Sequence, residues 1–562
     1  MALDLHKIAV KLEQDVLSQG APGAPKLEMS EIVTAQYPID PFELLGENSF
    51  GKPRVVPPDE VGSPIQEFYR GASVFVTGGT GFMGKTLTEK LLRACPHLER
   101  VYLLVRPKKG KTVSERLDEL FEDRLFSRLK AEVPHFRSKI SVVTGDVSLP
   151  GLGLSAADRA VLRRKVTVVF HGAATVRFDE NIKVAIAINI FGVQAMLELA
   201  KEMKHLKSFV HVSTAYTHCP RQEIDEVFYP PPYDYKDFME LVMSRSDDNL
   251  EEFSRTLLDK WPNTYTLTKA LAEDLVQKES ENLPVVLFRP SVIISTYKEP
   301  LRGWIDNPYG PVGLIVGVGT GVLHVNICDV DKVTDMVPID MVVNALIATA
   351  WNRASTEHKS IPVYNYVSSP QKPINLGEFQ EYSQRYGLCW PTIRAIWYYS
   401  YLPTKSKLVY FFLDLFLHLI PGMVLDSLLV LNGQKPLLLK IYSKLTKAQY
   451  TLSYFSLRSW TWKNANVIDL WTRLSDKDQD LFFFDVAQLD WDHYCKALLL
   501  GLRVYLVKDG IHTLPAARRK WQRLRIAHII LKFSFCILTL WLFYLLTRSL
   551  HGTLPLFNIK IT

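Results

Sequence analysis

Tyr265 and Lys269 stand four residues apart in Asn263-Thr-Tyr-Thr-Leu-Thr-Lys-Ala-Leu-Ala-Glu273, a stretch with a strong helical pattern. Residues four apart on a helix share one face. The ammonium can then favour the phenolate, and a neighbouring cofactor can add to this. Free tyrosine titrates near about 10, and each unit of displacement corresponds to about 1.4 kcal/mol. A fall of that kind is expected to make Tyr265 a proton donor and acceptor near neutral pH. A hydroxyl from Thr214 or Ser213, in His211-Val-Ser-Thr-Ala-Tyr216, would hold a carbonyl oxygen beside it. The spacing alone is cheap, because a chain with 24 tyrosines should show roughly one or two such pairs by chance. Tyr401 and Lys405 form a second pair, but Pro403 lies between them and disfavours the helix that would join them.

What distinguishes the first pair is the framework around it. Six runs, Ser73 to Val76, Val101 to Val105, Ile140 to Thr144, Val166 to Phe170, Ser208 to Val212 and Val285 to Phe288, are apolar and alternate with helical patterns. Continuous rather than alternate apolar residues imply strands covered on both faces, hence a doubly wound α/β domain with a parallel sheet. After the first run comes Thr77-Gly-Gly-Thr-Gly-Phe-Met-Gly84 and then an amphipathic helix. Gly78 allows a tight exit from the strand, Gly81 a close approach of backbone to a pyrophosphate, and Gly84 close packing of helix on sheet. A diphosphate would sit at the helix N-terminus. Beyond the second run stand Arg106, Lys108 and Lys109, where a site for NADH offers a carboxylate to the ribose 2′-hydroxyl. Guanidinium and ammonium groups suit a 2′-phosphate, so NADPH is the expected cofactor. Asp146, after the third run, is placed to accept from the adenine amino group. Small residues at 172–174 permit close approach of the cofactor's sugar and phosphates, and His171 reads as structural.

With 562 residues the chain has room for two or more domains. Its net charge of +7, from 66 basic and 59 acidic residues, is small for this length. No zinc-ligand spacing or basic-aromatic repeat is present, so neither a metal site nor a nucleic-acid partner is expected. The six cysteines are scattered without a CxxC, and they read as reduced, buried thiols of a cytosol-facing protein. Charges at Asp4, Lys7, Lys11, Glu13 and Asp15 leave no apolar core for a signal peptide in the first residues. A short amphipathic helix through Leu5, Ile8, Leu12 and Val16 is expected there.

Taken together, the glycine run, the Tyr265 and Lys269 pair and their order resemble the extended short-chain dehydrogenase/reductases. Leu104-Val-Arg-Pro-Lys-Lys-Gly110, His171-x-Ala-Ala-x-Val-x-Phe-Asp179 and His211-Val-Ser-Thr-Ala-Tyr216 narrow this to a resemblance to the alcohol-forming fatty acyl-CoA reductases of animals and insects. Ser369-Pro-Gln-Lys-Pro-Ile-Asn-Leu-Gly-Glu378, Phe482-Phe-Phe-Asp-Val-x-x-Leu-Asp-Trp491 and Gly501-Leu-Arg-Val-Tyr505 are similar to that family's C-terminal region. The resemblance spans about residues 70–510. It implies a Rossmann fold and a four-electron reduction of a long-chain acyl-CoA to a primary alcohol with NADPH. It also implies Tyr265, Lys269 and Thr214 as catalytic residues. The implied cofactor contacts are Gly78, Thr80, Gly81, Phe82, Met83, Gly84, Arg106, Lys109, Asp146, Val147, Ala173, Ala174 and Pro290. No acyl-cysteine is needed, and Cys219 reads as packing. Two rivals are a sterol or sugar-nucleotide dehydrogenase of the same fold and a silent cofactor-binding membrane scaffold.

The expected organisation is a flexible lead-in over residues 1–66, the NADPH-binding domain over 67–355, an acyl-substrate region over 356–515 and a transmembrane helix over 526–547. Within the third part, Leu408 to Leu431 is apolar but carries Asp414, His418 and Asp426. It reads as two buried or membrane-surface helices broken at Pro421-Gly422, walling the acyl site. Arg518, Arg519, Lys520, Arg523 and Arg525 precede the last apolar run, which places the catalytic part in the cytosol. The endoplasmic reticulum and the peroxisome both fit, and a homodimer is left open.

Overall fold

The computed structural model describes residues 40–553 apart from 48, 54–55, 108–109 and 247–249. The expected N-terminal helix and Lys108 and Lys109 therefore lie outside the described residues. Seven strands form one parallel sheet: β1 (Ser73–Thr77), β2 (Arg100–Val105), β3 (Ile140–Thr144), β4 (Val168–His171), β5 (Ser208–Val212), β6 (Val285–Pro290) and β7 (Val363–Tyr366). Their spatial order is β7-β6-β5-β4-β1-β2-β3. Order reverses between β1 and β4, where Val74 pairs with Val168 and Thr77 with His171. In open α/β sheets, ligands bind at that reversal, outside the carboxyl ends of the strands.

Both faces are covered, as the continuous apolar strands require. On one face, Val74, Val76, Leu103 and Val105 pack with helices α1 (Phe82–Ala94) and α4 (Ile339–Ser355). On the other, Phe75, Tyr102, Leu104 and Val143 pack with α2 (Ile182–Lys201) and α3 (Thr264–Glu279). Helix α2 is long and apolar enough to cross a membrane, yet it is a core helix buried against this sheet.

Two boundaries differ from expectation. Strand β7 lies beyond residue 355 and pairs with β6 through Val363 and Leu287, so the sheet extends into the stretch expected to serve only the substrate. Residues 40–66 are not a loose lead-in where they are described. Pro41–Leu45 is a helix capped by Asp40 and Gly46, Leu44, Leu45 and Ile65 are buried, and Ser63 and Gln66 form a capping box. The buried leucines hold this segment in the main core.

The C-terminal half is helical: α5 (Leu376–Cys389), α6 (Lys407–Leu431), α7 (Leu438–Ser456), α8 (Trp491–Gly501) and α9 (Leu514–Thr553). Helix α8 joins the α4 side of the core. A Cβ on Gly501 would lie 1.9 Å from the carbonyl oxygen of Gly303, itself at φ +69°, so two backbones touch there. Helix α6 does not break at Pro421-Gly422. A π turn at Leu415–Leu419 precedes the proline, re-routing the backbone bonding where Pro421 has no N–H to give. Gly422 is not a turn residue; a Cβ there would meet the Tyr442 ring at 3.0 Å, which marks close helix packing. Of the six cysteines, Cys389 and Cys536 are exposed and the other four buried, so the expectation of uniformly buried thiols fails for these two.

Candidate active site

At the end of β1 the three glycines make a cradle with no room for side chains. Gly78 has φ +72°, and a Cβ on Gly84 would lie 2.2 Å from the Gly78 carbonyl oxygen. Gly81 is the N-cap of α1 and brings no side chain to its first N–H groups, which leaves them for an anion. The residues present thus fit a dinucleotide diphosphate. Across the reversal, Thr77 Oγ1 contacts His171 Nδ1 at 2.7 Å and accepts from the Ala173 N–H at 3.2 Å, tying the ends of β1 and β4 together. Burial, with Lys269 adding to it, pushes His171 down to about 3, a neutral ring in a structural place.

Helix α3 starts at an Asn263 cap, whose side chain accepts from the Thr266 N–H at 2.9 Å, and carries Tyr265, Lys269 and Glu273 on one side. The half-buried Tyr265 ring stacks on Phe178 at 5.9 Å. Burial pushes the phenol up to about 12, with the neighbouring Thr214 hydroxyl acting the other way. This corrects the expected fall. Lys269 gives its Nζ to the Val212 carbonyl at 2.6 Å, and burial dominates at the tyrosine. Burial also pulls Lys269 down to about 8, opposed by Glu273.

The two candidate hydroxyls face different partners. Thr214 lies beside Tyr265, whereas Ser213 donates to Glu273 at 2.5 Å and contacts Thr217 Oγ1 at 2.9 Å. Glu273 also meets His218 Nε2 at 3.1 Å and Arg289 at 3.0 and 2.6 Å. Burial would raise this carboxyl, but the Arg289 guanidinium and His218 hold it well below the usual carboxylate range.

Two further residues escaped sequence reasoning. Asn189, in the π turn of α2, accepts from the Thr175 N–H at 2.9 Å and donates to Thr268 Oγ1 at 3.0 Å. It links the loop after β4 to the Tyr265 helix, and its signal was an amide set inside the apolar run Val184 to Phe191. Arg116, on the helix Val113–Glu122, donates to the carbonyl of Arg106. The Arg106 Nε lies 3.8 Å from Asp146 Oδ2, and Arg106 is largely exposed. Asp146 also accepts from the Ser148 N–H and hydroxyl at 3.0 and 2.8 Å, so it forms a turn as well.

One cavity of about 1070 Å³ gathers the site. Gly78, Thr80, Gly81, Phe82, Met83, Gly84, Arg106, Asp146, Val147, Ala173, Ala174, Thr214, Tyr265, Lys269 and Pro290 all line it, and so does Arg116. Lys109 lies outside the described residues. The volume exceeds the roughly 300–1,000 Å³ of ordinary single-ligand pockets. Its far part is walled by the C-terminal half, through Phe379, Gly387, Leu388, Phe455 and Trp521. Helix α6 is not among these walls. Tyr401 also lines this part, where its hydroxyl accepts from the Asn326 amide at 2.9 Å, while Lys405 pairs with Asp329 and Asp331. Burial pushes the Cys219 thiol up to about 12, which leaves it inert as a nucleophile.

Comparison with known proteins follows these divisions. The NAD-binding part of the family described as Male sterility protein matches residues 76–346, and its Sterile part matches residues 417–509. The fatty acyl-CoA reductase wat of Drosophila melanogaster is 42% identical over 86% of this chain and 94% of its own length. This chain belongs to the fatty acyl-CoA reductase family. Fatty acyl-CoA reductase 1 of Rattus norvegicus is 39% identical over 82% of this chain and 90% of its own. As in other members of this reductase family, the Rossmann part is an NAD(P)-binding domain. Among solved structures, the terminal R domain of the myxalamid PKS-NRPS pathway matches with TM-score 0.50 at 19% identity, covering 89% of this chain and 99% of its own. The reductase domain of a nonribosomal peptide synthetase from Mycobacterium tuberculosis gives TM-score 0.50 at 17% identity, covering 83% and 98%. Likeness at that level establishes the fold of this family member alone.

Proposed function

We propose that this protein reduces long-chain acyl-CoA to primary alcohol with NADPH, held in a membrane by α9. The observation that carries the reading is the single cavity in which Tyr265, Thr214 and Lys269 adjoin the glycine cradle at one end and apolar C-terminal walls at the other. NADPH, when bound, would supply the hydride for each of two reductions, and the glycine cradle, Arg106 and Arg116 would hold it. Thr214 and Tyr265 donate hydrogen bonds to the carbonyl oxygen as negative charge grows there. With a pKa near 12, Tyr265 is a protonated phenol at neutral pH, the form a reduction consumes. In the first step the thioester carbon becomes tetrahedral, and loss of CoA thiolate leaves the aldehyde. In the second, Tyr265 gives its proton to the alkoxide oxygen, and Lys269 stabilises the phenolate left behind. Overall, acyl-CoA, two NADPH and two protons give alcohol, CoA and two NADP⁺.

Exposed apolar side chains from Ile526 to Leu546 on α9 support the anchor. Residues 526–547 rise about 33 Å at 1.5 Å each, enough for a hydrocarbon core of about 30 Å. The preceding basic cluster favours a cytosolic catalytic part.

The test incubates membranes containing the chain, or its Tyr265→Phe version, with NADPH and palmitoyl-CoA and resolves lipid products by mass spectrometry. Hexadecanol from the parent and none from the variant is expected. Absence of product across C12 to C26 acyl-CoAs, with NADPH binding intact, overturns the reading.

A further inference from the structure

Helix α6 has two unlike sides. Tyr410, Asp414, His418, Gly422 and Asp426, spaced by four, are all buried. A spacing of four drifts around an α-helix of 3.6 residues per turn, and the wider π turn at Leu415–Leu419 offsets part of that drift. This inner seam is bonded to the protein. Asp414 contacts His418 at 2.7 Å and accepts from Thr446 at 3.0 Å, and His418 accepts from the His324 N–H at 2.9 Å. Asp426 accepts from the N–H groups of Leu437, Leu438 and Leu439 at 2.9 Å each, capping α7. The outer side carries Phe412, Phe416, Met423, Leu425, Leu428 and Leu431, all exposed.

By length and composition α6 could cross a bilayer, but crossing would strip the seam of these partners, and each unsatisfied polar group costs several kcal/mol in hydrocarbon. An apolar patch of this extent on a folded surface marks an interaction site. Charge names the partner. From Pro403 to Trp462 both acidic residues, Asp414 and Asp426, are buried, while all seven basic residues from Lys405 to Arg458 are exposed. Lys405 and Lys447 pair with Asp329, Asp331 and Asp179 of neighbouring segments, and the excess of positive charge that remains at this rim, with Lys407, Lys435, Lys440 and Lys444, suits the headgroup region of an anionic bilayer.

The apolar anchor α9 is physically joined to this face. The strap Ile396 to Leu402 binds α9 through the Trp397 indole N–H to His528 at 3.1 Å and the Tyr398 and Trp521 rings at 5.0 Å. It also meets the α6 side, where Ile396 and Leu419 pack against the same cluster around Tyr442 and the Ser400 carbonyl contacts His324 Nδ1 at 3.1 Å. Tyr399 and Tyr401 of the same strap line the cavity.

We infer that α6 is a second membrane contact, lying in the interface of an anionic bilayer on its apolar side while its polar seam stays bound to the protein. The cavity end at Tyr399, Leu388 and Trp521 then lies between two lipid-contacting helices, at the surface from which a long acyl chain arrives and into which the alcohol leaves. The inference shares with the proposed function the membrane reading of α9 but not the chemistry.

The test uses the full chain with Cys389→Ser and Cys536→Ser, reconstituted in phosphatidylcholine vesicles with or without phosphatidylserine. An NBD label is placed at Phe416→Cys, at Met423→Cys, or at Glu122→Cys, an exposed position in the NAD(P)-binding domain. Labels at 416 and 423 are expected to shift to the blue and to be quenched more by doxyl groups near the lipid carbonyls than near the chain ends. The label at 122 is expected to stay aqueous. Lys435→Glu with Lys440→Glu and Lys444→Glu is expected to remove any preference for phosphatidylserine at 416 and 423 while NADPH binding is kept. Aqueous labels at 416 and 423 overturn the inference, as does strongest quenching at the bilayer centre, the mark of a crossing helix. Shielding that depends on protein concentration rather than lipid assigns the face to a second copy and also overturns it. None of these readouts needs turnover, so they stand apart from failure of the reductase reading.

Discussion

Replacing Glu273 tests the frame behind the candidate active site. The carboxylate holds Ser213, His218 and two nitrogens of Arg289, Nε and Nη2, at 2.5 to 3.1 Å, and neither Glu273 nor Arg289 reaches solvent. Glu273→Ala leaves a buried guanidinium with only the carbonyls of Asp225 and Val227 at 3.2 and 3.0 Å. Breaking a buried pair from one side costs about 3–5 kcal/mol, a large share of the roughly 5–15 kcal/mol that holds a domain folded. Adding Arg289→Met removes the orphaned charge and is expected to recover part of the loss. Glu273→Gln keeps the shape but not the charge that supports the Lys269 ammonium. Lys269 then titrates below about 8, and activity falls at lower pH as pH is raised. Denaturant unfolding in detergent with NADPH absent measures the first effect, and a pH profile of kcat/KM the second. A cost under about 1 kcal/mol for Glu273→Ala, against the expectation for a buried pair, refutes the reasoning, as does an unmoved alkaline limb in Glu273→Gln.

Three further outcomes are expected. The native pKa of Lys269 lies near 8, below its ordinary 10.5, so between those values the unfolded chain binds a proton that the native chain has lost. Stability therefore rises with pH in that window, and Lys269→Met is expected to lack this increment when unfolding is compared at pH 7.5 and 10. Gly84→Ala puts a methyl 2.2 Å from the Gly78 carbonyl oxygen and is expected to abolish NADPH binding, read by fluorescence of the bound nicotinamide. Removing charge-assisted bonds worth about 1.5–3 kcal/mol by Arg106→Ala with Arg116→Ala is expected to raise the KM for NADPH about 10- to 150-fold and leave that for NADH unchanged.

The parts of the fold visible in sequence are those where one local pattern has one structural outcome. Strands β3 and β5 occupy the expected residues, because each is a compact apolar run between turn signals. Strand β7 was invisible: Val363-Tyr-Asn-Tyr366 is short, begins after a proline, and carries Asn365, whose backbone N–H goes to Glu226 at 3.0 Å. The candidate residues on the strand ends and on α3, which the glycine run and the tyrosine and lysine spacing point to, line one cavity. Glu273 closes the stretch read around Tyr265, but its partnership with Arg289, 16 residues on, has no local signature. The same limit hid Asn189 and Arg116. At Pro421-Gly422 a strong local signal misled, because a π turn and the Tyr442 ring gave those two residues helical employment. The direction of the Tyr265 pKa was also missed, since spacing reports the nearby cation and not the burial that outweighs it.

The contact between Gly303 and Gly501 matters for anyone recombining relatives of this protein. Position 303 belongs to the NAD(P)-binding half and position 501 to the far end of the Sterile half; a methyl group on 501 would strike the backbone of Gly303, and one on 303 would lie 2.2 Å from the Ala497 carbonyl oxygen one turn before Gly501. A chimera joined anywhere between them inherits a docked seam only if both parents carry glycine on their own side. The two sites act as one inherited unit nearly two hundred positions apart, and a hybrid library screened for expression should lose the combinations that break it.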